Sequence, residues 1–310
     1  MTVAADPVLA AVDWGTSNLR VWLLDAAGEV IAERKSGEGM SSAGAKGFAN
    51  VLEEHMAAMS APEGLPAIVC GMAGARQGWV EAGYLDVPAR ISDSAQAATE
   101  APGARRPVRI LPGLAQRGAY PDVMRGEETQ IAGAELGGGT RFVCMPGTHS
   151  KWVRVEDGVV TGFRTAMTGE LFHLIATQSI LRHSLGEAPD AGAPSSPAFR
   201  EALKTALAHP ERLTSALFAI RAGGLLGKVP AEDAAATLSG LLIGAEIAGA
   251  VSASPGMHLV TLVASGTMAK RYAAALATAG LLVDLVDADA AVRRGLFEAG
   301  SRLFLAGDRP

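Results

Sequence analysis

Apolar and polar positions alternate in a rhythm that changes along the chain. Val8 to Val12 is an unbroken apolar run that stops at Asp13. A Gly15-Thr16-Ser17 turn follows, and Leu19, Val21 and Leu23 then alternate with their neighbours. This order predicts a strand, a tight polar loop and a second strand. Gly28 turns the chain into a third strand over about Glu29–Ser36, and Gly37, Gly39, Gly44 and Gly47 predict a loop. Over Phe48–Met59 the spacing becomes helical, with Phe48, Val51, Leu52, His55, Met56 and Met59 on one face. His55 there reads as a solvated or half-buried helix histidine. Pro66–Cys70 is a buried strand, Pro88–Pro107 carries little pattern, and Val108–Leu111 is a short strand. The helix GEETQIAGAEL then runs into Gly137-Gly138-Gly139, the best boundary between two domains, 1–137 and 138–310.

The second half repeats the plan. FVCMPGTHSKWVRVEDG, from Phe142, is again a strand, a Gly-Thr loop and a strand. Gly15 and Gly147, Thr16 and Thr148, Val21 and Val153, and Asp25 and Asp157 each lie 132 positions apart. A gap-free register of this kind points to two copies of one supersecondary unit. Strands are expected at about Arg141–Met145, Lys151–Glu156, Val159–Thr165, Leu259–Ala264 and Leu281–Val286. Helices are expected at Glu170–Ser184, Ala198–Ala208, Glu211–Leu226, Ala231–Ala253, Met268–Thr278 and Ala288–Ala299, the last of which is free to pack back on the first domain. Gly186–Pro197 reads as an exposed loop. Strand triplets followed by helices, twice over, give an α/β fold with mixed sheets.

Composition narrows the function classes. The chain has 310 residues, of which 49% are hydrophobic and 19% charged, enough for two well-packed domains. A net charge of −5 with no basic block argues against a nucleic-acid partner. Cys70 and Cys144 both sit inside apolar runs and read as reduced core thiols of a cytoplasmic protein. The N-terminus lacks the pattern of a secretory leader. The apolar stretch Leu238–Ala253 is interrupted by Glu246 and two glycines, too short to suggest a membrane span. A homodimer is the expectation for its assembly, although no residue pattern carries it.

Candidate chemistry gathers at the turns. Successive amides of a Gly-Thr bend can form an anion-binding concavity, so Gly15, Thr16 and Ser17 in one half and Gly147, Thr148 and His149 in the other suit a phosphate chain. Ser150 and Lys151 stand beside the second bend. Asp13 is placed to hold Mg²⁺ through water, or is simply a strand-end carboxylate. Lys151 falls where Leu19 stands in the first copy and reads equally as a phosphate contact or a solvent-facing side chain. Ser265-Gly266-Thr267 opens a helix, where glycine lets a ligand approach the backbone and Thr267 is the candidate N-cap. His149 next to Ser150 is not a hydrolase pair, because no Gly-x-Ser-x-Gly elbow surrounds the serine. No Walker motif occurs, since Gly223–Lys228 is one residue short and Val229 follows.

DWGTS, the second Gly-Thr loop and VASGT before a helix resemble the phosphate and adenosine motifs of the actin, sugar-kinase and heat-shock-chaperone ATPase superfamily. CGMAGARQGW, PDVMRGEETQIAG, MPGTHSKWV and TAMTGELF, in this order, are more narrowly similar to the 2-dehydro-3-deoxygalactonokinase family. The resemblance implies two ribonuclease-H-like domains closing on ATP and Mg²⁺ in a central cleft. It also implies phosphorylation of the 6-hydroxyl of 2-dehydro-3-deoxy-D-galactonate in galactonate breakdown.

In the superfamily's sugar kinases the general base is an Asp at the start of the helix before the second phosphate motif. That position falls on Glu127 here, with Glu128 the alternative and Asp122 a third. The acid substrate calls for a forked cation. Arg76, with Trp79 lining the pocket beside it, is the first choice, and Arg125 and Arg164 are the others. Glu170 falls where related sugar kinases carry a glutamate that accepts sugar hydroxyls. Three other readings stay open: a silent sugar or nucleotide sensor of the same fold, an ATPase or polyphosphate phosphatase, and a kinase for a related 2-keto-3-deoxy acid.

Overall fold

The apolar run at the start becomes β1 (Leu9–Trp14) and the alternating run β2 (Leu19–Leu24), antiparallel with Val12 opposite Val21. β3 (Val30–Ser36) pairs with the other edge of β2. After α1 (Met40–Lys46) and α2 (Phe48–Ala58), β4 (Ala67–Gly71) returns parallel to β1. β5 (Tyr84–Asp86), β6 (Ala89–Arg90), β7 (Thr99–Glu100) and β8 (Val108–Ile110) follow. β8 lies parallel to β4 and completes a sheet of order β3-β2-β1-β4-β8-β7. β9 (Gly113–Gln116) and β10 (Asp122–Met124) join β5 in a small second sheet, and α3 (Glu127–Ala132) follows. These features are those of a computed structural model that describes residues 6–186 and 191–305. Residues 187–190 of the expected Gly186–Pro197 loop lie outside the described residues, as do residues 1–5, on which part of the leader reading falls.

The later part of the chain forms β11 (Thr140–Met145), β12 (Ser150–Glu156), β13 (Val159–Ala166), α4 (Thr168–Gln178), α5 (Arg182–Leu185), α6 (Pro197–Ala208), α7 (Leu213–Leu225), α8 (Ala231–Ala253), β14 (Leu259–Val263), α9 (Gly266–Thr278), β15 (Leu282–Val286) and α10 (Ala288–Gly300). Its sheet runs β15-β14-β11-β12-β13-β6. Counted from β13, this is the strand order 3-2-1-4-5, the same as β3-β2-β1-β4-β8 in the first sheet. The repeat seen in sequence is therefore a repeat of topology.

The chain forms two compact units. Unit 1 is Met1–Thr140, Val155–Phe163 and Asp287–Pro310, and unit 2 is Arg141–Arg154 and Arg164–Val286. In unit 1 the two faces of the sheet bury different residues, as the strand period of two requires. Ala10, Val12 and Trp14 pack with α2 residues Val51, Leu52 and Met56. Leu9 and Ala11 face the other way, with Ile68 and with Val292 and Leu296 of α10. Asp13 is in phase with this second set. In unit 2, Gly240 and Gly244 of α8 let α6 approach closely: a Cβ at Gly240 would lie 2.4 Å from the Phe199 carbonyl oxygen. Residues Asp233–Ala253 of α8 are long and apolar enough to cross a membrane, but 67% of that window is buried inside the fold.

Four local expectations are corrected. The Gly37–Gly47 stretch holds α1, because Gly39 and Gly47 bound a helix rather than fill a loop. Pro88–Pro107 carries β6, β7 and a 3-10 turn, too short to show a period. The helix expected over Glu170–Ser184 starts at Thr168 and stops at Gln178, where the Ser179 hydroxyl donates to the Ile175 carbonyl at 2.6 Å. His55 is buried, and its Nε2 lies 2.9 Å from a Glu38 carboxylate oxygen.

Candidate active site

The first bend joins β1 to β2. Gly15 N–H donates to the Asn18 carbonyl at 2.8 Å, and Thr16 and Ser17 are exposed at the tip. The start of α1 holds the bend from behind: Met40 N–H donates to the Gly15 carbonyl at 2.9 Å and Ser41 N–H to the Thr16 carbonyl at 3.0 Å. This approach needs Gly39, where a Cβ would stand 2.4 Å from the Thr16 oxygen. Beneath the bend lies an aromatic group. Trp14 packs 5.0 Å from Phe48 and 6.1 Å from Trp79, and the Trp14 indole N–H donates to the Glu38 carbonyl at 3.0 Å.

Asp13 is half-buried, with the Cys70 thiol 3.8 Å from its carboxylate. Burial pushes its carboxyl up, and Arg20 opposes that shift. Arg20 itself is paired with Asp289 of α10. A hard carboxylate of this kind suits Mg²⁺, which binds through one or two carboxylates and phosphate oxygens while keeping several waters.

Gly126, at φ +107°, turns the chain into α3. One Glu127 carboxylate oxygen accepts the Arg125 N–H at 2.9 Å. Glu128 is buried: its two oxygens accept the Gly126 N–H at 2.8 and 3.0 Å, and one accepts the Thr129 hydroxyl at 3.0 Å. Burial first, and then the Glu127 charge, raise the Glu128 carboxyl to about 7. Asp122 is at the start of β10.

The three candidate arginines have different surroundings. The Arg76 side chain is 81% exposed and meets Glu81 at 3.8 Å. Arg125 lies 4.3 Å over the Tyr84 ring and donates to the Gly83 carbonyl at 2.7 Å. Its Nε and Nη1 are enclosed without an acceptor among the described residues. Arg164 is exposed on β13. Trp79 lies next to Arg76 in sequence terms, but its indole N–H already donates to the Pro102 carbonyl at 2.9 Å.

The second bend joins β11 to β12 and is held in the same manner. Glu170 N–H donates to the Thr148 carbonyl at 3.0 Å, and a Cβ at Gly169 would lie 2.5 Å from the Gly147 oxygen. The Glu170 carboxylate meets His149 Nε2 at 2.5 Å. Ser150 and Lys151 are buried. The solvent-facing reading of Lys151 is corrected: like Leu19 at the matching place in β2, it faces inward. Ser265 is the N-cap of α9, in place of the expected Thr267, and Gly266 at φ +61° leaves open space above it.

Three groups carry little signal in the sequence. Cys70 beside Asp13 reads as a core thiol, and Arg125 as a secondary candidate. Glu246 reads as an interruption of an apolar helix, although a carboxylate in such a helix is itself the signal, since burying one requires hydrogen-bond donors. A cavity of about 450 Å³ at the other end of α3, with Arg90, Glu135, Glu298 and Arg302 in its lining, includes none of the candidate catalytic or binding residues.

Comparison with known proteins covers nearly the whole chain. The profile of the family described as 2-keto-3-deoxy-galactonokinase matches residues 13–299. A Rhizobium meliloti protein named provisionally as a 2-dehydro-3-deoxygalactonokinase is 53% identical over 298 residues, covering 95% of this chain and 97% of its own. The Escherichia coli 2-dehydro-3-deoxygalactonokinase is 37% identical over 287 residues, covering 92% of this chain and 95% of its own. A crystal structure from Sinorhizobium meliloti, provisionally given the same activity, superposes with a TM-score of 0.92 at 53% identity, covering 96% of this chain and 99% of the other.

Proposed function

The chain belongs to the 2-keto-3-deoxy-galactonokinase family, and on that premise we propose that it transfers the terminal phosphoryl group of ATP to the 6-hydroxyl of 2-dehydro-3-deoxy-D-galactonate. The products are the 6-phosphate and ADP. The observation that carries this reading is the near full-length match to relatives of that activity.

Phosphoryl transfer rests on positioning and charge stabilisation, with little covalent chemistry for the protein to do. Amides of the Gly15–Ser17 and Gly147–His149 bends bind phosphate oxygens. Ser265 and Gly266 take the adenosine; the open space above Gly266 supports that role. Asp13 would hold Mg²⁺, which when bound neutralises charge on the β- and γ-phosphates. Glu127 takes the proton of the 6-hydroxyl as its oxygen attacks the γ-phosphorus. Supporting Glu127 over Glu128 is the engagement of both Glu128 oxygens by Gly126 and Thr129 in a buried setting. The exposure of Arg76 supports it as the cation for the substrate carboxylate. The two buried free thiols support a cytoplasmic setting.

Incubation with ATP, Mg²⁺ and a panel of 2-keto-3-deoxy acids tests the proposal. ADP release that requires an acceptor, and is fastest with the galactonate-derived acid, is the expected result. ADP release without any acceptor, or nucleotide binding without ADP release, overturns it.

A further inference from the structure

α8 is a 23-residue apolar helix, and Glu246 places a carboxylate in its packed part. The donors around this carboxylate come from three other elements. One oxygen accepts the Trp152 indole N–H at 2.9 Å, from β12. The other accepts the Tyr272 hydroxyl at 2.8 Å, from α9. Hydroxyls of Thr168, the first residue of α4, and of Ser150, the first of β12, also donate to it. Ser150 Oγ is in addition 3.2 Å from the Tyr272 hydroxyl and accepts the Gly147 N–H at 3.5 Å.

These donors surround the second Gly-Thr bend. Ser150 ends the bend, and Thr168 immediately precedes Gly169 and Glu170, which hold the bend from behind. Tyr272 is on the helix that Ser265 and Gly266 open. A carboxylate accepts only when ionised and offers about four lone-pair sites, which four donors can fill. Burial raises the Glu246 carboxyl, and the hydrogen bonds from Thr168, Trp152, Tyr272 and Ser150 lower it again.

We infer that Glu246 is a positioning residue for nucleotide binding: its half-buried carboxylate ties the Gly147–Ser150 bend to the starts of α4 and α9. It touches no substrate itself. Removing one acceptor site would let Ser150 and Thr168 relax and displace the Thr148 and His149 amides, which need a fixed geometry to bind phosphate. Core packing alone would predict a loss of stability without a selective change in nucleotide affinity.

The inference rests on the kinase reading, so its test measures binding directly. Titration calorimetry with Mg²⁺-ADP is run on the full-length protein and on Glu246→Gln, whose amide nitrogen must confront a donor. Tyr272→Phe and Ser150→Ala, each of which removes one hydroxyl, serve as milder variants should Glu246→Gln fail to fold. The expected result is a nucleotide Kd raised about tenfold or more by Glu246→Gln and severalfold by the milder variants, the KM for the sugar acid staying within about twofold. Unchanged nucleotide affinity in folded variants overturns the inference and leaves the kinase reading intact. Absence of nucleotide binding by the unaltered protein overturns both.

Discussion

The two Gly-Thr bends are alike at the surface and different underneath. Each joins the first two strands of a sheet with the same strand order. Each is braced by a glycine and by a backbone N–H from the start of a helix: Gly39 and Ser41 for the first, Gly169 and Glu170 for the second. Below the first lies the apolar group Trp14, Phe48 and Trp79, with Asp13 on the opposite face of the strand. Below the second lies the half-buried Glu246 carboxylate with its donors. One duplicated backbone can thus be rigidified by dispersion and area burial in one copy and by hydrogen bonding in the other. The first should be insensitive to small electrostatic changes, whereas the second should loosen when a single acceptor is lost.

The proposed general base, Glu127, belongs to unit 1, and the largest effect should come from there. Glu127→Gln is expected to lower kcat by ~10²–10⁴-fold, the range of general-base catalysis, with the KM for ATP nearly unchanged. Steady-state kinetics check this, and undiminished turnover would move the role to Glu128. Next is the apolar foundation. Trp14→Ala should cost about 3–5 kcal/mol of stability, seen in the urea midpoint, as for other large aromatic truncations.

The braces should respond alike in the two copies. Gly39→Ala and Gly169→Ala each drive a methyl into a bend carbonyl, and overpacking of this kind costs about 1–3 kcal/mol. Both should raise the KM for ATP. Gly147→Ala meets open space and should change stability by less than about 0.5 kcal/mol. A strong effect from only one brace would break the parallel.

The most gradual effect is a pH slope. In the fold burial raises the Glu128 carboxyl to about 7, from an ordinary glutamate value of 4.5. Below about pH 4.5 the folded and unfolded states are both protonated and nothing is lost. Between 4.5 and 7 the unfolded chain ionises first, so stability falls as pH rises, and above 7 the loss is complete. Its full size is on the order of 3 kcal/mol, at about 1.4 kcal/mol per pH unit. Glu128→Gln should flatten this slope in urea denaturation measured from pH 5 to 8.

Much of the architecture was legible because it is written locally. The strand period of β1 and β2, the 132-residue register between Gly15 and Gly147, and the helical spacing of Phe48 to Met59 need only neighbours along the chain. The same holds for the glycine positions of the bends. Family motifs then supplied roles for Glu127, Arg76 and Glu170 that no spacing carries. What sequence left hidden depends on residues brought together from afar. The last helix is expected to be free to return to the first domain, but the pair it makes there, Asp289 with Arg20 269 positions away, shows in no local pattern. The inward orientation of Lys151 is settled by what covers β12. The role of Glu246 emerges only when Trp152, 94 positions earlier, and Tyr272, 26 later, reach it. Periodicity records which face of an element is buried, whereas the partner of a buried polar group is a property of the packed fold, where water is excluded and each donor must find its acceptor.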